Sequence, residues 1–155
     1  MMPVYQEITD HNEAEGRFGD CYRACVASML GMRLLDVPHF VMDAWNGTNY
    51  NADYEIRAVR EWLKPRDLGL VVIACESLFS DSHYQGVMAI VTGRGPRNLN
   101  HCCIYRGGEL YHDPHPIGGG LIGPCKEDSF YWHEFFVPLD YLAAYRATEQ
   151  QESKP

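Results

Sequence analysis

The apolar pattern of the chain changes period near Pro65, and that change limits the fold more than any other feature. Before it, apolar residues recur at three- and four-residue spacing; beyond Gly69 they form short β-branched runs bounded by turn residues. A helical half followed by a strand half predicts one α+β domain, with N-terminal helices packed on a mainly antiparallel sheet. No internal repeat or low-complexity segment breaks the pattern. The 155 residues, 46% of them apolar, suffice for a single core. Residues 1–147 are therefore assigned to one domain and 148–155 to a polar, disordered tail.

In the first half, Asp20 and Gly31 bracket an apolar-periodic run and read as its N-cap and its left-handed stop. Asp36-Val37-Pro38 opens a short helical piece carrying Phe40, Val41 and Trp45, closed by Asn46-Gly47. A third helix is expected from about Ala52 to Lys64, capped by Asn51, with Ile56, Val59, Trp62 and Leu63 on its apolar face and Pro65 at its end. In the second half, Leu70–Cys75 and Val87–Val91 read as buried strands. Residues His101–Tyr105 and Glu109–His112 flank Gly107-Gly108 as a hairpin, and a strand from Tyr131 to Val137 leads through Pro138 to a terminal helix, Leu139–Tyr145.

The first helix carries chemistry because Cys21 stands at its start, among backbone N–H groups that have no intrahelical partner. Those groups and the helix dipole favour thiolate over thiol, and the thiolate is the nucleophile. Cys21 and Cys25 are one helical turn apart and Cys102 and Cys103 are adjacent, a poor spacing for a disulfide framework, so the six cysteines read as reduced. Cys25, Cys102 and Cys103 read as core residues.

A formal charge of −8 argues against a phosphate-binding surface and hence against nucleic acid. Residues Met1–Glu7 hold neither a basic region nor an apolar stretch, and no run reaches the length of a membrane span. The expectation is a soluble, cytoplasmic protein without a membrane partner.

The order Asp20-Cys21 on a helix, His101 at the start of a strand, and Asp113-Pro114 ending the partner strand resembles papain-like cysteine peptidases. The bacterial branch that includes the leader-processing domains of bacteriocin exporters is similar in these features. Small phage and bacterial proteins of the superfamily are similar in the Gly19-Asp20-Cys21-Tyr22-Arg23-Ala24-Cys25 helix, the Asp36-Val37-Pro38 step and the His112-Asp113-Pro114-His115-Pro116 segment. The resemblance spans most of residues 4–138. It implies a papain-like fold and a hydrolase needing no cofactor, acting on a peptide, isopeptide, peptidoglycan stem or thioester. Cys21 would be the nucleophile, His101 the base and then acid, and Asp113 the group that orients His101. The Cys21 N–H would be one oxyanion donor, with Gly19 and Asp20 at the place of substrate approach. Where the larger family often carries a glutamine as second donor, this chain has Glu15; Gln6, Asn12 and Asn100 are the alternatives.

The hairpin register bears on this site. A two-residue loop places Asp113 opposite Cys102, whereas a three-residue loop, Arg106-Gly107-Gly108, places it opposite His101; departure of the chain at Pro114 relaxes either pairing. Two other classes stay open: an inactive papain-like binding module, and a structural zinc module drawing on His101, Cys103, His112, Asp113, His115 and Cys125. His112, His115 and Cys125 read as loop residues near the site entrance. Trp45, Tyr50, Tyr54 and Trp132 could line a peptide groove or fill the core.

Overall fold

The computed structural model describes residues 1–78 and 86–140. It is an α+β domain in which three helices, α1 (Cys21–Leu30), α2 (Phe40–Asp43) and α3 (Ala52–Leu63), precede five strands. The strands are β1 (Leu68–Cys75), β2 (Met88–Arg94), β3 (Asn100–Arg106), β4 (Glu109–His112) and β5 (Tyr131–Pro138), and they form one antiparallel sheet in the order β1-β5-β2-β3-β4. The terminal helix expected from Leu139 and the polar tail lie almost wholly outside the described residues; Leu139 and Asp140 form a turn. No single helix among the described residues is long and apolar enough to cross a membrane.

Helix α1 is a buried helix: Tyr22, Ala24, Cys25, Val26, Ala27 and Ser28 are all buried. Gly31 closes it in the left-handed region (φ 65°), where the Met32 N–H reaches back to the Ala27 carbonyl. At its other end Asp20 does not act as the expected side-chain cap. Its Oδ1 accepts the Ile8 N–H at 2.8 Å instead, so no side chain caps the first turn. Ser28 takes the Val4 N–H at 2.8 Å and ties the N-terminal segment over the helix.

Helix α3 is capped by Asn51, whose Oδ1 accepts the Tyr54 N–H at 2.9 Å, and it gives way at Leu63 to a tight turn through Pro65. The short helix starts later than its sequence suggests. Val37 and Pro38 stay extended or irregular, His39 caps Phe40–Asp43 through Nδ1, and Trp45 falls beyond it, in an isolated bridge with Tyr50. Pro38 cannot hydrogen-bond back into a preceding turn, which delays the helix.

One sheet face meets the helices in a core containing Val26, Val37, Val59, Leu63, Leu70, Ile90, Cys102 and Ile104. The opposite face is also covered. Ala89, Val91, Cys103 and Tyr105 pack there with Leu121, Tyr131 and Phe135. The segment after β4 crosses this second face and pairs with the end of β2: the Arg94 N–H donates to the Gly123 carbonyl, and the Ile122 N–H donates to the Arg94 carbonyl. Gly93 is required at this crossing, because a Cβ there would lie 2.8 Å from the Gly123 carbonyl.

The β3–β4 hairpin corrects both expected registers. Gly107 and Gly108, at φ 56° and 84°, form a two-residue turn, with Arg106 opposite Glu109 and Tyr105 opposite Leu110. The next pair is Ile104 with His112, so Tyr111 is an extra residue in a β-bulge. Neither a longer loop nor departure at Pro114 makes the shift. The bulge moves His112 onto the helix-facing side with Ile104 and returns Asp113 to the side of His101 and Cys103.

Candidate functional site

His101 and Asp113 form the fixed part of the site. His101 Nε2 and Asp113 Oδ1 are 2.8 Å apart, and both side chains are almost fully buried. Asp113 accepts two further bonds: the His115 N–H reaches Oδ1 and the Gly120 N–H reaches Oδ2, both at 2.8 Å. Burial pushes the Asp113 pKa upward, but the bonds from His101 and the two backbone groups outweigh it and hold the carboxyl at about 2. Burial likewise disfavours charge on His101, yet Asp113, Cys103 and Cys21 together push it up to about 12. The imidazole is thus held as a cation by its partners.

The surroundings of the ring are close. A Cβ on Gly95 would lie 2.9 Å from His101 Cβ, so glycine is needed there for the ring to sit as it does. His115 meets His101 edge to face, with ring centroids 6.4 Å apart.

Cys21 comes from the opposite element. It is half-buried at the start of α1 and packs against the helix-facing core cluster that contains Cys102. Cys102 is the largest influence lowering the Cys21 pKa; burial opposes it, and His101 adds to it. The Cys21 thiol is held well below its ordinary range, while Cys25 and Cys102 are pushed up, Cys25 by burial and Cys102 by Cys21 and burial. The uncapped first turn adds to this. With Asp20 turned to Ile8, its N–H groups have no side-chain acceptor and remain available to a thiolate or an oxyanion.

The other sequence-derived candidates fall differently. Gln6 lies beside the site: its N–H donates to the Pro114 carbonyl, and its side-chain Nε2 donates to Ile8 at 2.8 Å, close to Gly19. Its Oε1 is buried without a partner, as is Oδ2 of Asp20. Asn100 instead bonds Glu127, and Asn12 sits in an isolated bridge with Arg17. Glu15 is exposed and paired with Arg17 at 2.8 Å. Gly19 precedes Asp20 with a close approach to the Ile8 carbonyl.

His112 is not at the entrance. It is buried on the helix-facing side of β4, with Nε2 bonded to the Val4 carbonyl. Cys125 is buried in the loop that crosses the second face, bonded by its N–H to Phe130. Of the aromatic candidates, Tyr50 and Tyr54 are exposed, Trp45 packs on Phe18, and Trp132 bonds Asp128 through Nε1.

Three donor groups could hold a metal ion: ligand atoms of His101, Cys103 and Asp113 lie within 4.8 Å of one another. The other zinc candidates, His112, His115 and Cys125, are not in that group.

Sequence reasoning missed Cys102 as a neighbour of Cys21, Gly95 against His101, and Gly120 as a donor to Asp113. The run Gly118-Gly119-Gly120, all at positive φ, was a legible sign of close backbone approach.

Two buried acids lie beside α1. Glu134 accepts the Tyr22 hydroxyl at 2.5 Å, and burial raises its pKa to about 7 against a smaller lowering by Tyr22. Burial, then Glu134 and Cys21, raise Glu55 to about 8. A folded-state pKa above the ordinary value of 4.5 means that the folded chain binds the proton more tightly, so stability falls as pH rises through this window. Glu134→Gln is therefore expected to raise the melting temperature relative to the parent at about pH 8.5 and to do so far less near pH 5, measured by thermal unfolding at both values.

No protein-family model, curated protein or solved structure matches the chain.

Proposed function

We propose that the protein is a papain-like cysteine hydrolase that cleaves a peptide or related acyl bond through an acyl-enzyme on Cys21. The observation that carries this reading is the buried His101–Asp113 pair, 2.8 Å apart, whose imidazole acts on the Cys21 thiol at the uncapped start of α1 and helps to lower its pKa. A nucleophile, a base and a group that orients the base are the parts that acyl transfer needs.

In the reaction, the Cys21 thiolate attacks the acyl carbon and the carbonyl electrons move onto oxygen, within reach of the N–H groups of the first turn. Protonated His101 gives its proton to the leaving amine as the carbon–nitrogen bond breaks. The neutral ring then takes a proton from water, which attacks the thioester and releases acid and thiolate. Asp113 stays ionised throughout and keeps the ring oriented.

The test is covalent capture by a peptidyl acyl electrophile, followed by intact mass and peptide mapping. One adduct on Cys21 is expected, with none on Cys21→Ala at an unchanged melting temperature. Equal labelling of the Cys21→Ala protein would refute the reading.

The cluster of His101, Cys103 and Asp113 supports a second reading, a metal module. Ligand loss from a structural zinc site removes folding energy, so EDTA would lower the melting temperature under that reading and leave it unchanged under the first.

A further inference from the structure

Arg94 ends β2 on the face of the sheet that meets α1. Thr92, two residues earlier, fixes that side: its Oγ1 lies 3.2 Å from the sulfur of Cys102, which belongs to the core that Cys21 packs against. Cross-strand pairing sets the neighbours. Arg94 stands opposite Asn100, and Thr92 stands between Cys102 on β3 and Trp132 on β5. The guanidinium folds over Gly123, where a Cβ would lie 2.6 Å from Nη2. Its Nε is buried and has no acceptor. Among the described residues, no carboxylate pairs with Arg94 and no side-chain hydrogen bond engages it.

Acids are not scarce. The chain has 21 aspartates and glutamates against 13 lysines and arginines, and two of these acids, Glu127 and Asp128, bond the residues that flank Arg94. Both are engaged there: Glu127 accepts Asn100 Nδ2 at 3.2 Å, and Asp128 accepts Trp132 Nε1 at 2.8 Å and the Phe130 N–H at 2.9 Å. A buried guanidinium N–H without an acceptor is unfavourable in the free protein, and a carboxylate satisfies it with two oxygens that match the planar fork. Glu127 and Asp128 repel a polyanion, which limits the guest to a single carboxylate.

We propose that Arg94 is a specificity residue whose guanidinium takes a carboxylate of the substrate. Arg94 lies about 7 Å beyond Thr92 along β2 and one strand from Cys102, so the carboxylate belongs about two to three extended residues from the bond that Cys21 attacks. The substrate is then a peptide with either an acidic side chain or a free C-terminus at that distance. The hydrolase reading supplies the position of the bond; binding of the carboxylate does not depend on it.

The experiment is isothermal titration calorimetry of the full chain in the Cys21→Ala background, where cleavage cannot interfere, with three N-acetylated tripeptides: Ala-Ala-Ala with a free C-terminus, Ala-Ala-Ala amide and Ala-Glu-Ala amide. At least one carboxylate-bearing peptide should bind about 10-fold more tightly than the neutral amide, and which one does so identifies the source of the carboxylate. Adding Arg94→Gln should remove that preference and leave the affinity for the neutral amide unchanged. Arg94→Lys should keep only part of it, because the charge stays and the fork is lost. Equal affinity for all three peptides, no binding of any, or a preference that survives Arg94→Gln would overturn the proposal. Should Arg94→Gln not fold, Arg94→Lys decides, and an undiminished preference there overturns it. A carboxylate preference in a protein whose wild-type form never captures an acyl electrophile would end the hydrolase reading alone; capture on Cys21 with no such preference would end this proposal alone.

Discussion

Asp113→Ala should be among the most destabilising single substitutions in the chain, lowering unfolding free energy by about 3–5 kcal/mol. The carboxylate accepts His101 Nε2 and the backbone N–H groups of His115 and Gly120, all at 2.8 Å. Truncation leaves a buried imidazolium without its counter-charge and two N–H groups without acceptors, and each unmet buried donor costs about 1–3 kcal/mol. The His115–Gly120 loop, which the carboxylate holds against β3, should loosen with it. Urea unfolding at neutral pH measures the loss. The wild-type pH profile gives the same interaction with its sign. Asp113 has a pKa depressed to about 2, so its contribution is complete above its ordinary value of 3.8 and is lost as pH falls through about 2. His101 is raised to about 12, so its contribution is complete below its ordinary value of 6.5 and is lost as pH rises toward about 12. Asp113→Asn should sit between wild type and alanine, because its one oxygen can still accept a backbone N–H.

The role of Asp113 also shows where sequence patterning reaches its limit. Gly107-Gly108 marks the hairpin and its two-residue turn, since each residue takes a positive φ that glycine alone adopts freely. Nothing about Tyr111 marks a bulge: it is a good strand residue with no local reason to fall out of register. The shift arises over a longer range, where Asp113 is held by the Gly120 N–H and Pro114 by Gln6. The same holds at the start of α1. Asp20 is a strong N-cap by residue type, but the N-terminal segment runs beside it, and the Ile8 N–H competes successfully for the carboxylate. Helices α1 and α3 and the five strands were legible because their periodicity and their terminating Gly31 and Pro65 are local. The contact of Cys102 with Cys21 was not, because it depends on how α1 lies across β3. Alternation along a strand says which residues share a face, not which of them meets the helix start.

His101→Ala should have the largest effect on reactivity. In the wild-type protein the Cys21 thiol is held low first by Cys102 and then by His101. Without the imidazolium, Cys102 and the helix start still oppose burial, and the Cys21 pKa should rise. At about pH 6 that rise reduces the ionised fraction, and with it the alkylation rate at Cys21. The melting temperature of this variant is expected to fall, since Asp113 loses His101 and keeps only its two backbone donors, so the rates are compared well below both melting temperatures.

The most direct measurement of the Cys21–His101 pair is the order in which the six cysteines react with substoichiometric iodoacetamide near pH 6, read by peptide mapping in wild type and in His101→Ala. Cys21 modified first and almost alone in wild type, with that preference lost in the variant, is the expected result. Earlier reaction at Cys25, Cys102 or Cys125, or an unchanged Cys21 rate in His101→Ala, would contradict a thiolate held by this imidazole.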